Sequence, residues 1–113
     1  MTDRAAAGHL ARGRGQRAEW EYMAFLRKAG YVPHRVRDQP YDLISRSEDG
    51  HEWLLSQVKS YLLLPGEMRE AVEALETCLP LPPHTVIEIA QKNRKRQHKR
   101  RVVQREWVCE LVE

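Results

Sequence analysis

The chain has 113 residues, with 19 lysines and arginines against 16 acids and a formal net charge of +3. That length supports one domain around one core and is too short for two. No apolar run approaches the roughly 18 residues a membrane span needs, and the opening MTDRAAAGHL lacks a secretory apolar core; the expectation is a cytoplasmic protein with no membrane partner.

Residues 1–15, MTDRAAAGHLARGRG, offer little to bury and are expected to form a flexible basic N-terminal arm, leaving 16–113 as the folded domain. Arg12 and Arg14 in that arm, and Arg17 just beyond it, are placed to reach a phosphate backbone. From about Gln16 to Ala29 the pattern turns helical. Ala18, Tyr22, Phe25, Leu26 and Ala29 make one apolar stripe, and Gly30 supplies the stop. Glu19 borders the stripe in the first turn. Residues 31–37, YVPHRVR, alternate as a strand, and Pro33 argues for a sheet edge.

Two apolar runs follow, YDLIS and EWLLSQVKS, separated by Asp49-Gly50. That dipeptide predicts a hairpin with a two-residue type I′ turn, in which both central residues take positive φ. Opposed residues then have position numbers summing to 99. Asp42 falls opposite Gln57, with Lys59 one diagonal step away on the same face. A carboxylate, a carboxamide and an ammonium on one half-buried patch are costly unless paired or bound to something, so this patch is a candidate site.

After Pro65-Gly66 a second helix is expected, with Met68, Ala71, Val72, Leu75, Cys78 and Leu79 as a complete buried face. HTVIEIA (84–90) reads as a strand reached by a parallel crossover. KNRKRQHKRR (92–101) then carries Lys92, Arg94, Lys95, Arg96, Lys99, Arg100 and Arg101 with no acid, so the rest of the chain is net negative. It is expected to be a loop that grips phosphates without reading sequence. VVQREWVCELV (102–112) closes the chain as a strand. The order is α-β-β-β-α-β-β, an α/β domain with a mixed sheet flanked by helices. Cys78 and Cys109 have no metal spacing and are expected as reduced thiols.

Hydrolysing a phosphodiester requires a nucleophilic water and neutralisation of a dianionic transition state. A hard cation on carboxylate oxygens serves both ends. Asp42 and Glu19 are candidate ligands if the first helix packs against the hairpin; Gln57 adds a neutral carbonyl oxygen and Val58 its backbone carbonyl. Lys59 orients the water or stabilises developing charge. Ser60 and Tyr61, just after the lysine, are candidate phosphate contacts.

Arg14-Gly15-x-x-x-Glu19, then Pro40-Tyr41-Asp42-Leu43-Ile44, then Gln57-Val58-Lys59-Ser60, resembles the PD-(D/E)XK nuclease superfamily. Within it, the chain is most similar to the small archaeal-type Holliday junction resolvases, which also occur in phages. The motifs lie in Arg14–Ser60; beyond them only the order of elements carries the likeness. The resemblance implies a restriction-endonuclease-like fold, with Glu19 and Asp42 as metal ligands and Lys59 as the catalytic lysine. It also implies Mg²⁺ or Mn²⁺ as cofactor, a homodimer, four-way or otherwise branched DNA as substrate, paired symmetric nicks, and a bacterial, archaeal or phage-infected cell. Three departures stand out. Gln57 replaces the usual Glu, Gln16 replaces a Ser after the Gly, and the Pro–Asp pair is stretched to Pro40-Tyr41-Asp42.

The five histidines show no pairing at ligand spacing and are expected to be structural or on the surface. Trp20, Trp53 and Trp107 are expected in the core or a dimer interface.

Overall fold

The computed structural model describes residues 2–106, with side chains described for 15–104. The elements follow the expected order: α1 (Thr2–Lys28), β1 (Tyr31–Arg35), β2 (Leu43–Ser47), β3 (Trp53–Lys59), α2 (Pro65–Glu76), β4 (Thr85–Lys92) and β5 (His98–Glu106). The strands form one sheet in the order β1-β2-β3-β4-β5. β1, β2 and β3 are antiparallel neighbours, β3 and β4 are parallel across the α2 crossover, and β5 returns antiparallel. Pro33 sits on β1, an edge strand, where its missing N–H leaves no inner ladder incomplete.

Strand alternation sends the sheet's two faces to different helices. On one face Leu43, Leu54, Val86 and Ala90 pack with Tyr22 and Leu26 of α1. On the other, Leu55, Ile87 and Ile89 pack with Ala71 and Leu75 of α2 and with Leu81. Each fully buried large side chain contributes about 1.5–3 kcal/mol.

The hairpin keeps its expected register, with Leu43↔Ser56, Ile44↔Leu55, Ser45↔Leu54 and Arg46↔Trp53 paired. Its turn differs from expectation. Gly50 has a φ of +78°, but Asp49 does not share positive φ. Instead the Gly50 N–H donates to the Ser47 carbonyl (2.8 Å), so Glu48 and Asp49 become the central pair. The Asp49 carboxylate accepts from Ser47 Oγ (2.6 Å) and from the His51 N–H (3.0 Å), a local alternative that a type I′ turn would not offer. The Ser47 N–H still reaches the Glu52 carbonyl at 2.9 Å, which preserves the pairing.

Other boundaries and placements depart from the sequence reading: Phe25 and Leu79, each 36% exposed, leave their expected buried stripes, and α2 ends at Glu76, before Cys78. The helix α1 starts at Thr2 rather than near Gln16, because the intervening alanines, arginines and leucine are strong helix formers and outweigh three glycines. The basic stretch 92–101 is not a plain loop, and the last strand does not wait until residue 102. The strand β4 includes Lys92, the turn is 93–97, and β5 begins at His98. Asn93 makes that turn tight: its N–H donates to the Gln97 carbonyl (2.9 Å), and its side-chain Oδ1 accepts the Gln97 N–H (2.8 Å). As an edge strand, β5 can carry outward charges that an inner strand could not. Lastly, Trp20 is 59% and Trp53 41% exposed, so neither is a core residue. Trp107 and Cys109 lie outside the described residues, and Cys78 is a free, half-buried thiol.

Candidate functional site

Antiparallel pairing brings the start of β2 beside the ends of β1 and β3. Arg35 closes β1 opposite Leu43, and Gln57 to Lys59 close β3. Asp42, one residue before β2, is thereby held between them. Its N–H donates to the Ser56 carbonyl (2.8 Å), its carbonyl accepts the Val36 N–H (3.0 Å), and its carboxylate Oδ2 accepts the Val58 N–H (2.7 Å). The packing of α1 across this end of the sheet delivers Glu19, because Ala18, Tyr22 and Leu26 are the helix's buried stripe and Glu19 stands at its border.

The two carboxylates feel each other. Burial, followed by the charge of Asp42, raises the Glu19 pKa, and the Arg35 guanidinium opposes this. Burial likewise raises the Asp42 pKa, against the pull of the Val58 N–H, Lys59 and Arg35. Two acids pushed the same way by desolvation, one of them also by its neighbour, are a pair that a cation would relieve. Lys59 is half-buried and close enough for its charge to act on Asp42.

Gln57 supplies an independent sign. Its amide nitrogen Nε2 donates to the Pro40 carbonyl at 2.9 Å, which fixes which way the amide faces. The carbonyl oxygen Oε1 is then buried without a hydrogen-bond partner. An orphaned buried acceptor costs about 1–3 kcal/mol unless something binds it. A hard divalent cation fits this donor set: Glu19, Asp42 and Gln57 Oε1 are all oxygen donors of the kind Mg²⁺ and Mn²⁺ take. The set is one carboxylate poorer than an all-acid site. Among the described residues no cluster of three or more His, Cys, Asp or Glu side chains gathers.

The phosphate contacts expected from sequence fall in three places. Arg17, Ser60, Lys92 and Arg96 line one cleft of about 430 Å³ between α1 and the β4–β5 turn. Glu21 of α1 lies in the same cleft and forms ion pairs with Lys92 and with Arg96, the latter at 3.2 Å. Arg94, Lys95, Lys99 and Arg101 are exposed on the hairpin. Arg100 is placed otherwise. Its Nε donates to Glu88 Oε1 at 2.7 Å, and its guanidinium lies 6.0 Å from the Tyr22 ring centroid and 5.8 Å from that of Phe25. Its Nε is committed to a buried carboxylate. The side chains of Arg12 and Arg14 lie outside the described residues.

Sequence reasoning missed two residues that shape this region. Arg35 binds Glu19 Oε1 at 3.0 Å and acts on both acids. Only the β1–β2 register reveals it, since nothing near Arg35 in the chain is catalytic in character. The other is Glu88, wholly buried and bonded to the Tyr22 hydroxyl, Ser56 Oγ (2.7 Å) and Arg100. The signal was a lone acid inside the apolar run TVIEIA, with a cation two steps off its partner Val102 on β5.

No family model matches the chain, and no curated protein does. Among solved structures, the chain is similar to that of Archaeoglobus fulgidus Hjc, a Holliday junction resolvase from an archaeal hyperthermophile. The two share a TM-score of 0.56 at 23% identity, over 80% of this chain and 73% of that one. The fold expected from the motifs is therefore the fold observed: an α/β sheet of the kind that resolvase is built on.

Proposed function

We propose that this protein is a metal-dependent, structure-selective DNA endonuclease that resolves Holliday junctions as a homodimer, each protomer making one of two paired nicks. The observation that carries the reading is the convergence of Glu19 and Asp42, both with raised pKa values, beside Lys59 and the orphaned Gln57 Oε1. The fold it shares with a protein described as a Holliday junction resolvase supports the choice of substrate. So does the basic β4–β5 hairpin, which suits a polyanion.

In this reading Glu19, Asp42, Gln57 and the Val58 carbonyl would hold Mg²⁺ or Mn²⁺, and the ion would supply Lewis acidity toward the attacking water and positive charge against the phosphate. Asp42 is aimed by the Val58 N–H. Arg35 restrains the Glu19 carboxylate and lowers the cost of keeping both acids ionised. Lys59 orients the attacking water and stabilises charge on the phosphate oxygens. Exposed Arg94, Lys95, Lys99 and Arg101, with Arg17 and Ser60 in the cleft, hold flanking phosphates.

A labelled four-way junction incubated with Mg²⁺ or Mn²⁺ tests the proposal, with Asp42→Asn alongside. Symmetric nicks by the wild type, reduced at least about 100-fold in the variant, are expected. Equal cleavage by both proteins, or none by the wild type with any divalent ion, overturns it. Flaps and forks beside the junction separate a resolvase from another nuclease of the same superfamily. One observation favours a second reading: Gln57 leaves the site a charge short, as in a junction-binding module that no longer cuts. That module binds junctions equally well in EDTA and cuts with no metal.

A further inference from the structure

Two residues beyond Lys59, Tyr61 occupies a position that the proposed chemistry does not use. Its side chain is 51% exposed, yet it does not hang free, because its hydroxyl donates to Glu67 Oε2 at 3.0 Å. Glu67 is itself held, with Oε1 accepting the Leu64 N–H at 2.9 Å at the start of α2. An exposed aromatic ring fixed at its polar end presents its faces to solvent at little further entropic cost.

What surrounds the ring is more telling. Tyr61 lines three adjoining clefts. One contains Gln57 and Lys59 of the proposed centre. A second contains Arg17, Lys92 and Arg96, and a third contains Lys92 and Arg94. The ring thus stands as the wall between the catalytic lysine and the cation-lined surface. A DNA strand with one phosphate at Lys59 and its next phosphates at Arg17 and Arg94 has to pass this ring. Every nucleobase has a π-face that an aromatic side chain can take, whereas a base still inside a duplex has both faces covered.

We propose that Tyr61 is a stacking platform for an unstacked nucleobase of the strand being cut, and that it favours DNA whose bases are freed at a branch point over continuous duplex. The inference rests on the reading of Asp42 and Lys59 as a phosphodiester-cutting centre. The experiment is arranged so that the two can fail separately.

Equilibrium binding is measured in Ca²⁺, without cleavage, for wild type, Tyr61→Ala and Tyr61→Phe. The probes are a four-way junction carrying 2-aminopurine at the branch point, a continuous duplex and a short single strand. For Tyr61→Ala the expected result is a loss of junction and single-strand affinity of roughly 5- to 150-fold, the span of one base–aromatic stack. Its duplex affinity is unchanged, and the stacking-induced change in 2-aminopurine fluorescence disappears. Tyr61→Phe, which keeps the ring, stays close to wild type. Unchanged junction and single-strand binding by Tyr61→Ala overturns the platform even if the wild type cuts junctions, and so does an equal loss on duplex. If the wild type cuts no DNA but Tyr61→Ala still loses single-strand binding, the endonuclease reading falls and the platform stands.

Discussion

At the scale of single residues, Arg35 shows how a side chain without a motif enters a site through strand register. Its guanidinium pulls down the pKa values of Glu19 and Asp42, which burial pushes up. Removing it leaves both acids harder to ionise, and a metal binds only their ionised forms. In Arg35→Gln the pH midpoint of Mn²⁺ binding, followed by electron paramagnetic resonance, is expected to move upward; an unchanged midpoint means Arg35 is not coupled to the ligands. Lys59→Ala is expected to cut at least about 100-fold more slowly while binding junctions nearly as well, since one charge among the many proposed to face phosphates would contribute little to affinity. Single-turnover kinetics with saturating protein separates the two effects.

At the scale of elements, the β4–β5 hairpin carries cations of different kinds. Arg100 neutralises Glu88, whose side chain is wholly buried. Arg100→Ala leaves that carboxylate without its counter-charge and is expected to cost about 3–5 kcal/mol in urea denaturation. Replacing Arg94 and Lys95, both exposed, is expected to change stability by less than about 0.5 kcal/mol. The same double variant should weaken junction binding and lower the slope of log affinity against log salt by about 1 for each phosphate no longer neutralised. A slope equal to wild type places the turn outside the interface. Glu88 also ties Tyr22 of α1 to Ser56 of β3, three residues from Glu19 and one from Gln57. The element that delivers one candidate ligand is thus anchored beneath the strand that delivers another.

For the whole molecule, the raised carboxyls set a dependence of stability on pH. The folded state holds the Glu19 and Asp42 protons more tightly than the unfolded chain does. Their contribution to stability is therefore complete below the ordinary carboxylate pKa and lost as pH rises toward the raised values. A divalent cation held there as proposed would offset the loss. Thermal unfolding in EDTA against Mn²⁺ should show a metal-induced rise in Tm that grows from pH 4 to pH 8, and Asp42→Asn should abolish that rise. A Tm increment independent of pH would place metal binding elsewhere. Among the described residues no helix is long and apolar enough to cross a membrane.

The sequence by itself determined the order of elements, the hairpin register and so the pairing of Asp42 with the end of β3. Alternation and Asp49-Gly50 are local signals, and slipping the register by one residue would turn Leu43 and Leu54 out of the core. It also marked Glu19 and Lys59, through motif spacing. Only the tertiary structure decided that Glu19 meets Arg35, that Gln57 Oε1 is left without a partner, and that Arg100 turns inward to Glu88 while Lys92 and Arg96 turn to Glu21. Each of these depends on which groups lose water together when α1 and β5 close on the sheet. A charge in a sequence has no burial until that packing exists, so its role as ligand, counter-ion or phosphate anchor is settled only there.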